Sequence, residues 1–225
     1  SFTVAGTAST TLSFSASSGD HRIVLDGFTN CNPLTGSSVT YTPPSYEISG
    51  SVEKLSQGTD LPDVTFTARP VIGSNVIDIS DSSGAFDLTG LEGGKDYTVT
   101  GAKTGIEDCG VSETDISETQ KHILETESFT QVYEYIAADA NGSLTLTTFH
   151  LVVTRKTILG QSGVIFQSWV IMPGSEYVGL SLPANFSTVV PSYSEEKEFN
   201  NISQDFSFEF FQGIKVGDVT VNCSN

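Results

Sequence analysis

The chain has 225 residues, of which 37% are hydrophobic and 14 are phenylalanine, so it can build the cores of about two or three small domains. Its 27 acidic and 10 basic residues give a net charge of −17, the opposite sign to that needed for binding nucleic acid. It lacks the run of roughly 18 apolar residues that a membrane-spanning helix needs. Because it opens on Ser1 without a signal peptide, we expect a mature form or a piece of a longer protein.

Residues 1–45 are predicted to form strands and turns. Apolar residues alternate with polar neighbours along the first part of this segment, as in half-buried strands: Phe2, Val4, Leu12 and Phe14. Three or four such strands are too few to close a sandwich, so we expect the segment to pack on the next domain or on a neighbouring molecule. Pro43-Pro44 then marks a stiff boundary.

Residues 46–103 are predicted to form a β-sandwich. Short alternating apolar segments follow one another about every 8–12 residues, and turns such as Asp81-Ser-Ser-Gly84 and Gly93-Gly94 separate them. This spacing is typical of a sandwich.

Residues 104–160 are the only stretch with helical periodicity, and the pattern occurs twice, at an offset of roughly 35 residues. Each copy is a polar loop that leads into an apolar-periodic run, and a linker joins the two copies. Lys121-His-Ile-Leu124 in the first copy matches Lys156-Thr-Ile-Leu159 in the second. We predict a duplicated loop–helix unit whose two helices pack together, because one unit alone cannot bury its apolar face. Asp115 is the predicted N-cap of the first helix, and Gly160 is the predicted C′ residue of the second.

Residues 161–225 return to strand-like patterns, among them Tyr177 to Leu182. Alternation predicts that Phe206, Phe208 and Phe210 share one buried face. Trp169 and Met172 are predicted to be core residues. The fold class expected from the whole chain is mainly β: sandwich domains with an inserted two-helix loop–helix repeat, and with residues 161–225 packing on that repeat.

Three cysteines, Cys31, Cys109 and Cys223, lie far apart and form no metal-binding cluster. Two interpretations stay open. In a secreted protein, one pair closes a disulfide and the remaining cysteine is free or pairs with another chain. In the alternative, all three are buried thiols.

Four segments carry a resemblance to a known family: Gly110-Val-Ser-Glu-Thr-Asp-Ile116, Lys121-His-Ile-Leu124, Ile136-Ala-Ala-Asp-Ala-Asn141 and Arg155-Lys-Thr-Ile-Leu159. They resemble the duplicated type I dockerin-like repeats of large secreted and surface proteins of bacteria. Residues 46–103 resemble a carboxypeptidase-regulatory-like β-sandwich, and Trp169 with Phe210-Phe-Gln-Gly-Ile-Lys-Val-Gly-Asp-Val219 resembles the strand that closes such modules. The resemblance implies an extracellular or cell-surface protein whose sandwich is a spacer without catalytic activity.

The resemblance also implies a calcium site in each loop, with oxygen ligands at positions 1, 3, 5 and 12 and a backbone carbonyl at position 7. In the second copy Asp139, Asn141 and Ser143 fall at positions 1, 3 and 5, and Thr145 offers the carbonyl. Position 12 is His150, whose nitrogen is poorly suited to a hard cation.

The first loop departs further from the family pattern. Asp108 falls at position 5 and Asp115 at position 12, but positions 1 and 3 fall on Thr104 and Ile106. Because neither ligand set is complete, we expect a repeat without a cofactor, held by packing and turn hydrogen bonds. Calcium binding is the alternative.

We expect no enzymatic activity. The three histidines, His21, His122 and His150, are far apart in the sequence, and no nucleophile motif accompanies them.

Three hypotheses of function follow. The first is an extracellular structural module, either a subunit of a surface filament or a segment of a large adhesin. The second is a calcium-dependent dockerin-like module that attaches a secreted protein to a receptor or scaffold. The third is a carbohydrate-binding sandwich, which needs exposed aromatic residues; the candidates are Tyr133, Tyr135 and Tyr177. The incomplete loops count against the second, and the first makes the fewest demands.

A structural module of this kind is expected to form homopolymers. Residues 1–16 suit strand donation to a neighbouring sheet edge, because Phe2, Val4, Leu12 and Phe14 are alternating apolar residues separated by small ones. Cys31 or Cys223 is then expected to lock the joint as a disulfide. The alternative is an edge strand folded back on its own domain.

Overall fold

The computed structural model describes residues 10–12, 39–41, 43–55, 57–105, 109–161 and 168–223. The strands in these ranges are β1 Thr10–Leu12, β2 Val39–Tyr41, β3 Ser45–Lys54, β4 Thr59–Asp60, β5 Thr65–Pro70, β6 Val76–Ile79, β7 Ala85–Glu92, β8 Tyr97–Ala102, β9 Trp169–Pro173, β10 Glu196–Phe199 and β11 Phe206–Lys215. The helices are α1 Glu113–Ile123, α2 Val132–Ala138, α3 Thr148–Ile158 and α4 Gly174–Gly179. None of these helices has the length and apolar character needed to cross a bilayer.

Two larger sheets share one apolar core. One sheet has the strand order β10-β8-β5-β6, and all its pairs are antiparallel. In the other, β3 pairs with β4 and β7 on one side and with β11 on the other, and β9 follows β11. Both sheets contribute to the core, where the ring of Phe66 stacks on Phe86 at 3.9 Å and meets Phe211 edge-on at 5.0 Å. The prediction of a mainly β chain is confirmed, and the arrangement is sandwich-like.

Strands from the C-terminal region complete both sheets. Strand β10 pairs with β8, and β11 runs parallel to β3 while pairing antiparallel with β9. The sheets that start within residues 46–103 therefore extend beyond residue 103. Parallel neighbours need a long crossover connection, so no local pattern in the sequence could have indicated the pairing of β3 with β11.

The helices pack on the outer face of the second sheet. Val170 and Met172 of β9 and Ile214 of β11 join a second core with Tyr135 of α2 and Val153 of α3. Strand β9 is buried on both faces, since Trp169 and Ile171 lie in the first core. The prediction that Trp169 and Met172 are core residues is confirmed.

Two secondary-structure predictions are wrong. The stretch beginning at Tyr177 was predicted as a strand, but Gly174–Gly179 forms α4, which starts directly after Pro173. The predicted linker between the two copies contains α2. Its N-cap is Gln131, and Glu134 accepts the backbone N–H of Gln131 at 2.7 Å in a capping box. The seven residues of α2, about two turns of helix, are too few to show a clear period in the sequence.

A β-bulge overturns the prediction that Phe206, Phe208 and Phe210 share one buried face. Phe206 pairs with Ile48 but Glu209 pairs with Gly50, so β11 contains one extra residue at this point. Phe206 packs on Phe199 inside the sandwich, whereas Phe208 has φ +65° and is 96% exposed. After the bulge the alternation is shifted, so the next fully buried ring is Phe211.

Within residues 1–42 the structure describes only β1 and β2, which pair antiparallel with Thr10 opposite Tyr41. The described part of residues 1–16 thus pairs with another strand of the same chain. The other predicted assembly residues, Phe2, Val4 and Phe14, lie outside the described residues, as do the side chain of Leu12 and Cys31. Strand donation stays a prediction.

Gly50 makes the bulge sterically feasible, and Gly50→Ala should destabilise the fold. A Cβ at this position would overlap the backbone carbonyl of Glu209, and Gly50 lies in a central strand that cannot move away easily. We expect a loss of about 1–3 kcal/mol in the free energy of unfolding, measured by urea denaturation. Gly179→Ala is the matched control, because nothing lies within 4 Å of its Cβ position. Equal stability of the two variants would contradict this account of the bulge.

Candidate functional site

Helices α1 and α3 have the same length, 11 residues each, and Thr148 follows Glu113 by 35 residues, the predicted offset of the repeat. Their C-terminal ends match bond for bond. The N–H of Thr126 donates to the carbonyl of Lys121 at 2.9 Å, and the N–H of Gln161 donates to that of Lys156 at 3.0 Å. The two predicted helices are confirmed.

Both C-terminal ends turn through a left-handed C′ residue. Gly160 has φ +61°, which confirms it as the C′ residue, and Glu125 holds φ +59° at the equivalent position. Although only one copy carries the glycine that favours this conformation, the turn is the same in both.

The N-caps correct one prediction. Asp115 is not the N-cap of α1 but its N3 residue, and Ser112 is the N-cap. The carboxylate of Asp115 accepts the N–H of Ser112 at 2.9 Å and its hydroxyl at 2.7 Å. In α3 the N-cap is Thr147, and its N–H donates at 2.9 Å to Nδ1 of His150, the N3 residue. Each helix therefore starts with a capping box, in which the N3 side chain bonds back to the cap.

The second loop brings its predicted calcium ligands together. Asp139 accepts the N–H of Ser143 at 3.0 Å and that of Leu144 at 2.7 Å. Asn141 Oδ1 accepts the N–H of Ser143 at 3.2 Å, and Ser143 Oγ donates to the carbonyl of Thr145 at 3.1 Å. The residues at positions 1, 3, 5 and 7 thus form one cluster closed by hydrogen bonds within the loop.

The ring of His150 lies among these oxygens. Its Nε2 is 2.8 Å from Asn141 Oδ1, 3.2 Å from Asp139 Oδ1 and 3.4 Å from Ser143 Oγ. Because Nδ1 accepts the N–H of Thr147, the ring proton is assigned to Nε2, which donates into the oxygen cluster. An imidazole N–H therefore lies where the loop oxygens converge.

The pKa of Asp139 agrees with this geometry. Burial by itself raises the pKa of Asp139, but hydrogen bonds from His150, Leu144 and Ser143 outweigh burial, so the pKa of this carboxyl lies below its ordinary value. The side chains of Asp139 and His150 are only 1% and 2% exposed. The residues present do not fit calcium, since position 12 supplies an N–H donor instead of a carboxylate. The described ranges also contain no group of three or more His, Cys, Asp and Glu side chains arranged to hold a metal.

In the first copy, the equivalent residue binds a different part of the chain. Asp115 Oδ1 accepts the N–H of Thr220 at 2.9 Å and its hydroxyl at 2.8 Å, while Oδ2 serves the capping box. Asp115 is buried, and both of its oxygens are thereby used within the protein. Asp108 lies outside the described residues. The sequence did not predict Thr220 as the partner of Asp115, because two residues that lie 105 positions apart share no local pattern.

Thr220 belongs to the C-terminal tail, residues 216–223, which joins the helices to the sandwich. Cys223 forms a disulfide with Cys109, just before α1. From the sandwich side, Lys54 Nζ donates to the carbonyl of Cys223 at 3.3 Å, and Gln57 Nε2 donates to that of Val221 at 3.0 Å. Cys109 and Cys223 are therefore the one pair that closes a disulfide, and the interpretation that all three cysteines are buried thiols is wrong. Because Cys223 is bonded to Cys109, the prediction that Cys223 locks a joint between chains is wrong.

A buried carboxylate organises the end of this tail. Asp218 accepts the N–H groups of Asn222 at 3.0 Å and Cys223 at 2.8 Å. Burial raises the pKa of Asp218 above its ordinary value, although these hydrogen bonds lower it. A cavity of about 20 Å³ beside it is lined by Lys54, Trp169 and Lys215 among others, and it has room for about one water molecule.

The tyrosines predicted as sugar contacts belong to the second core. Tyr135 is fully buried, and Tyr133 and Tyr177 are half-buried against the same cluster. Burial raises the pKa of all three hydroxyls. None of the three is the exposed aromatic residue that a sugar-binding face needs.

His122 also has a structural place in this core. Its ring stacks on Phe129 at 4.1 Å, Nδ1 accepts the N–H of Phe129 at 3.0 Å, and Nε2 bonds to the carbonyl of Ser187 at 2.7 Å. Both ring nitrogens of His122 are thus used in hydrogen bonds within this core. His21 lies outside the described residues.

No family model matches the chain, and no curated protein or solved structure matches it. The functional argument therefore depends on the residues of this chain.

Calcium should stabilise a His150→Glu variant but not the wild type. Glutamate supplies the missing carboxylate at position 12, next to oxygens that already converge there. With calcium at about ten times its Kd, we expect the Tm of the variant to rise by about 3–6 °C, measured by differential scanning calorimetry. The wild type should change by less than about 1 °C.

His150→Gln is the matched control, because it has the size of glutamate without its charge, and it should not respond to calcium. Adding Asp139→Asn to His150→Glu should abolish the response. A large calcium-dependent rise in the wild type that is lost in Asp139→Ala would show that the natural loop binds the ion.

The disulfide should contribute substantially to stability. It closes a separation of 114 residues, so breaking it increases the entropy of the unfolded chain. We expect Cys109→Ser to lower the free energy of unfolding by about 2–5 kcal/mol in urea denaturation, and reduction of the wild type to do the same. Cys31→Ser, which removes the remaining cysteine and leaves the disulfide in place, is the matched control for the loss of a thiol. A curve for Cys109→Ser that overlays the oxidised wild type would contradict the prediction.

Proposed function

We propose that the chain is an extracellular structural module, a subunit of a surface filament or a segment of a large surface adhesin, and that it is not an enzyme. The observation that carries the proposal is the C-terminal tail, which is bonded to the sandwich through Lys54 and Gln57 and to the helical unit through Asp115 and Cys109. A module held in this way transmits position and force as one piece, which is what a filament or adhesin stalk requires.

The disulfide supports an extracellular location. Cys223 is 4% exposed, and a buried structural disulfide forms and persists in oxidising compartments, while cytosolic thiols are kept reduced. The net charge of −17 suits a protein that must stay soluble at a cell surface.

The arrangement of the loops favours a structural role over calcium-dependent attachment. In the second loop, His150 uses its N–H to satisfy the oxygens of Asp139 and Asn141. In the first, Asp115 bonds to Thr220 of the tail. Polar groups of both loops thus hold the module together, and we propose that the dockerin-like repeat has this role here.

The proposal can be tested on protein in its native source. Intact cells are treated with a membrane-impermeant amine label and then with a thiol-trapping reagent before lysis, and peptides are mapped by mass spectrometry. We expect labelled lysines on intact cells and a peptide pair joined through Cys109 and Cys223. Free thiols at both cysteines, or lysine labelling only after lysis, would refute an extracellular location.

A further inference from the structure

We propose that β3 gives this module its resistance to mechanical tension: a force that enters at the N-terminal end of β3 and leaves through the C-terminal tail is resisted as shear along both sides of β3. The inference rests on the proposed structural role and states what that role is mechanically.

Strand β3 lies between two long ladders. On one side, seven antiparallel pairs join it to β7, from Ser45 opposite Glu92 to Ser51 opposite Ala85. On the other side, six parallel pairs join it to β11, from Ile48 opposite Phe206 to Lys54 opposite Gly213. Pulling β3 along its own axis therefore loads two sets of hydrogen bonds.

The parallel direction of β11 decides how the load acts. Because β3 and β11 run the same way, the start of β3 and the end of β11 lie at opposite ends of their shared ladder. Tension between these two points slides one strand along the other, so all the pairs carry load together. In an antiparallel pair the same two points would lie side by side, and the bonds would break one at a time.

The β-bulge in β11 opposes sliding of β11 along β3. The carbonyl of Glu209 lies so close to Gly50 that no Cβ fits there. A slip of two residues is the smallest that keeps each side chain on its face. Such a slip would bring Ile48 or Val52 against this carbonyl, and a salt bridge from Glu209 to Lys197 ties the same point of β11 to the opposite sheet.

The tail is fastened before tension reaches β11. The disulfide from Cys223 to Cys109 carries load into the chain ahead of α1, and Asp115 holds Thr220 through two hydrogen bonds. Lys54 and Gln57, at and just beyond the end of β3, hold the carbonyls of Cys223 and Val221. Because of these bonds, tension cannot peel β11 away from its C-terminal end.

Single-molecule force spectroscopy on the full chain tests the inference. Two attachment geometries share a handle at the exposed Ser45, and the second handle is placed either at Asn222, for shear, or at Gln204, for peeling. Gln204 precedes β11 and lies at the same end of the ladder as Ser45, so tension between these two points peels the ladder instead of shearing it. We expect the unfolding force for the Ser45–Asn222 pair to exceed that for the Ser45–Gln204 pair by about twofold or more.

Reduction supplies an internal control. In the Ser45–Asn222 geometry, breaking the disulfide should lengthen the unfolded chain by about 400 Å, since it releases 114 residues at about 3.5 Å each. Absence of this increment would overturn the force path through Cys109. Equal unfolding forces in the two geometries would overturn the mechanical role of β3, yet leave an extracellular structural role standing. Free thiols in the native source would overturn the extracellular role, whereas the comparison of the two geometries is made on oxidised protein and tests β3 separately.

Discussion

Strands β9 and β11 bury residues on both of their faces, and the rest of the structure depends on this. Ile171 and Phe211 point into the sandwich, while Met172 and Ile214 point towards the helices. Removing the helices would expose the second set to water at a cost of about 1.5–3 kcal/mol for each large side chain. The helices in turn bury their apolar side chains in a core that these two strands share. Two-sided burial therefore makes the sandwich and the helical unit one cooperative body.

Polar bonds then set the position of the helices on that body. The carboxylate of Asp115 starts α1 with one oxygen and holds Thr220 with the other. Such a buried carboxylate is stable because each oxygen is satisfied, and the loss of either partner would leave an acceptor without hydrogen bonds in a dry environment. The disulfide at Cys109 adds a covalent restraint a few residues away. Apolar packing thus holds the helices on the sheet, and these polar and covalent bonds fix where the helices lie on it.

The two loop–helix units show how a repeated sequence can take two roles. Position N3 is an acceptor in both capping boxes, Asp115 in one and His150 in the other. In the first unit the free oxygen of that residue reaches out to the tail. In the second, the free ring nitrogen turns into its own loop and meets Asp139 and Asn141. The helix start is the same, and the outer atom of one side chain decides what each copy holds.

The sequence by itself determined the features that depend on neighbours a few residues apart. The two helices of the repeat, the glycine that ends α3, and the core positions of Trp169 and Met172 could all be predicted, because helical period, turn chemistry and side-chain hydrophobicity act locally. The oxygen cluster of the second loop was also predicted, since its members lie within twelve positions of one another.

Only the tertiary structure decided the contacts between distant residues. The parallel pairing of β3 with β11, the bond from Asp115 to Thr220 and the choice of Cys109 over Cys31 as partner of Cys223 each join residues more than a hundred positions apart. The bulge that turns Phe208 outward belongs to the same class, because it needs Gly50 on the neighbouring strand. Such contacts leave no periodic trace in the sequence. They are selected by the free energy of the whole fold, in which most buried polar groups find a partner wherever the chain brings one.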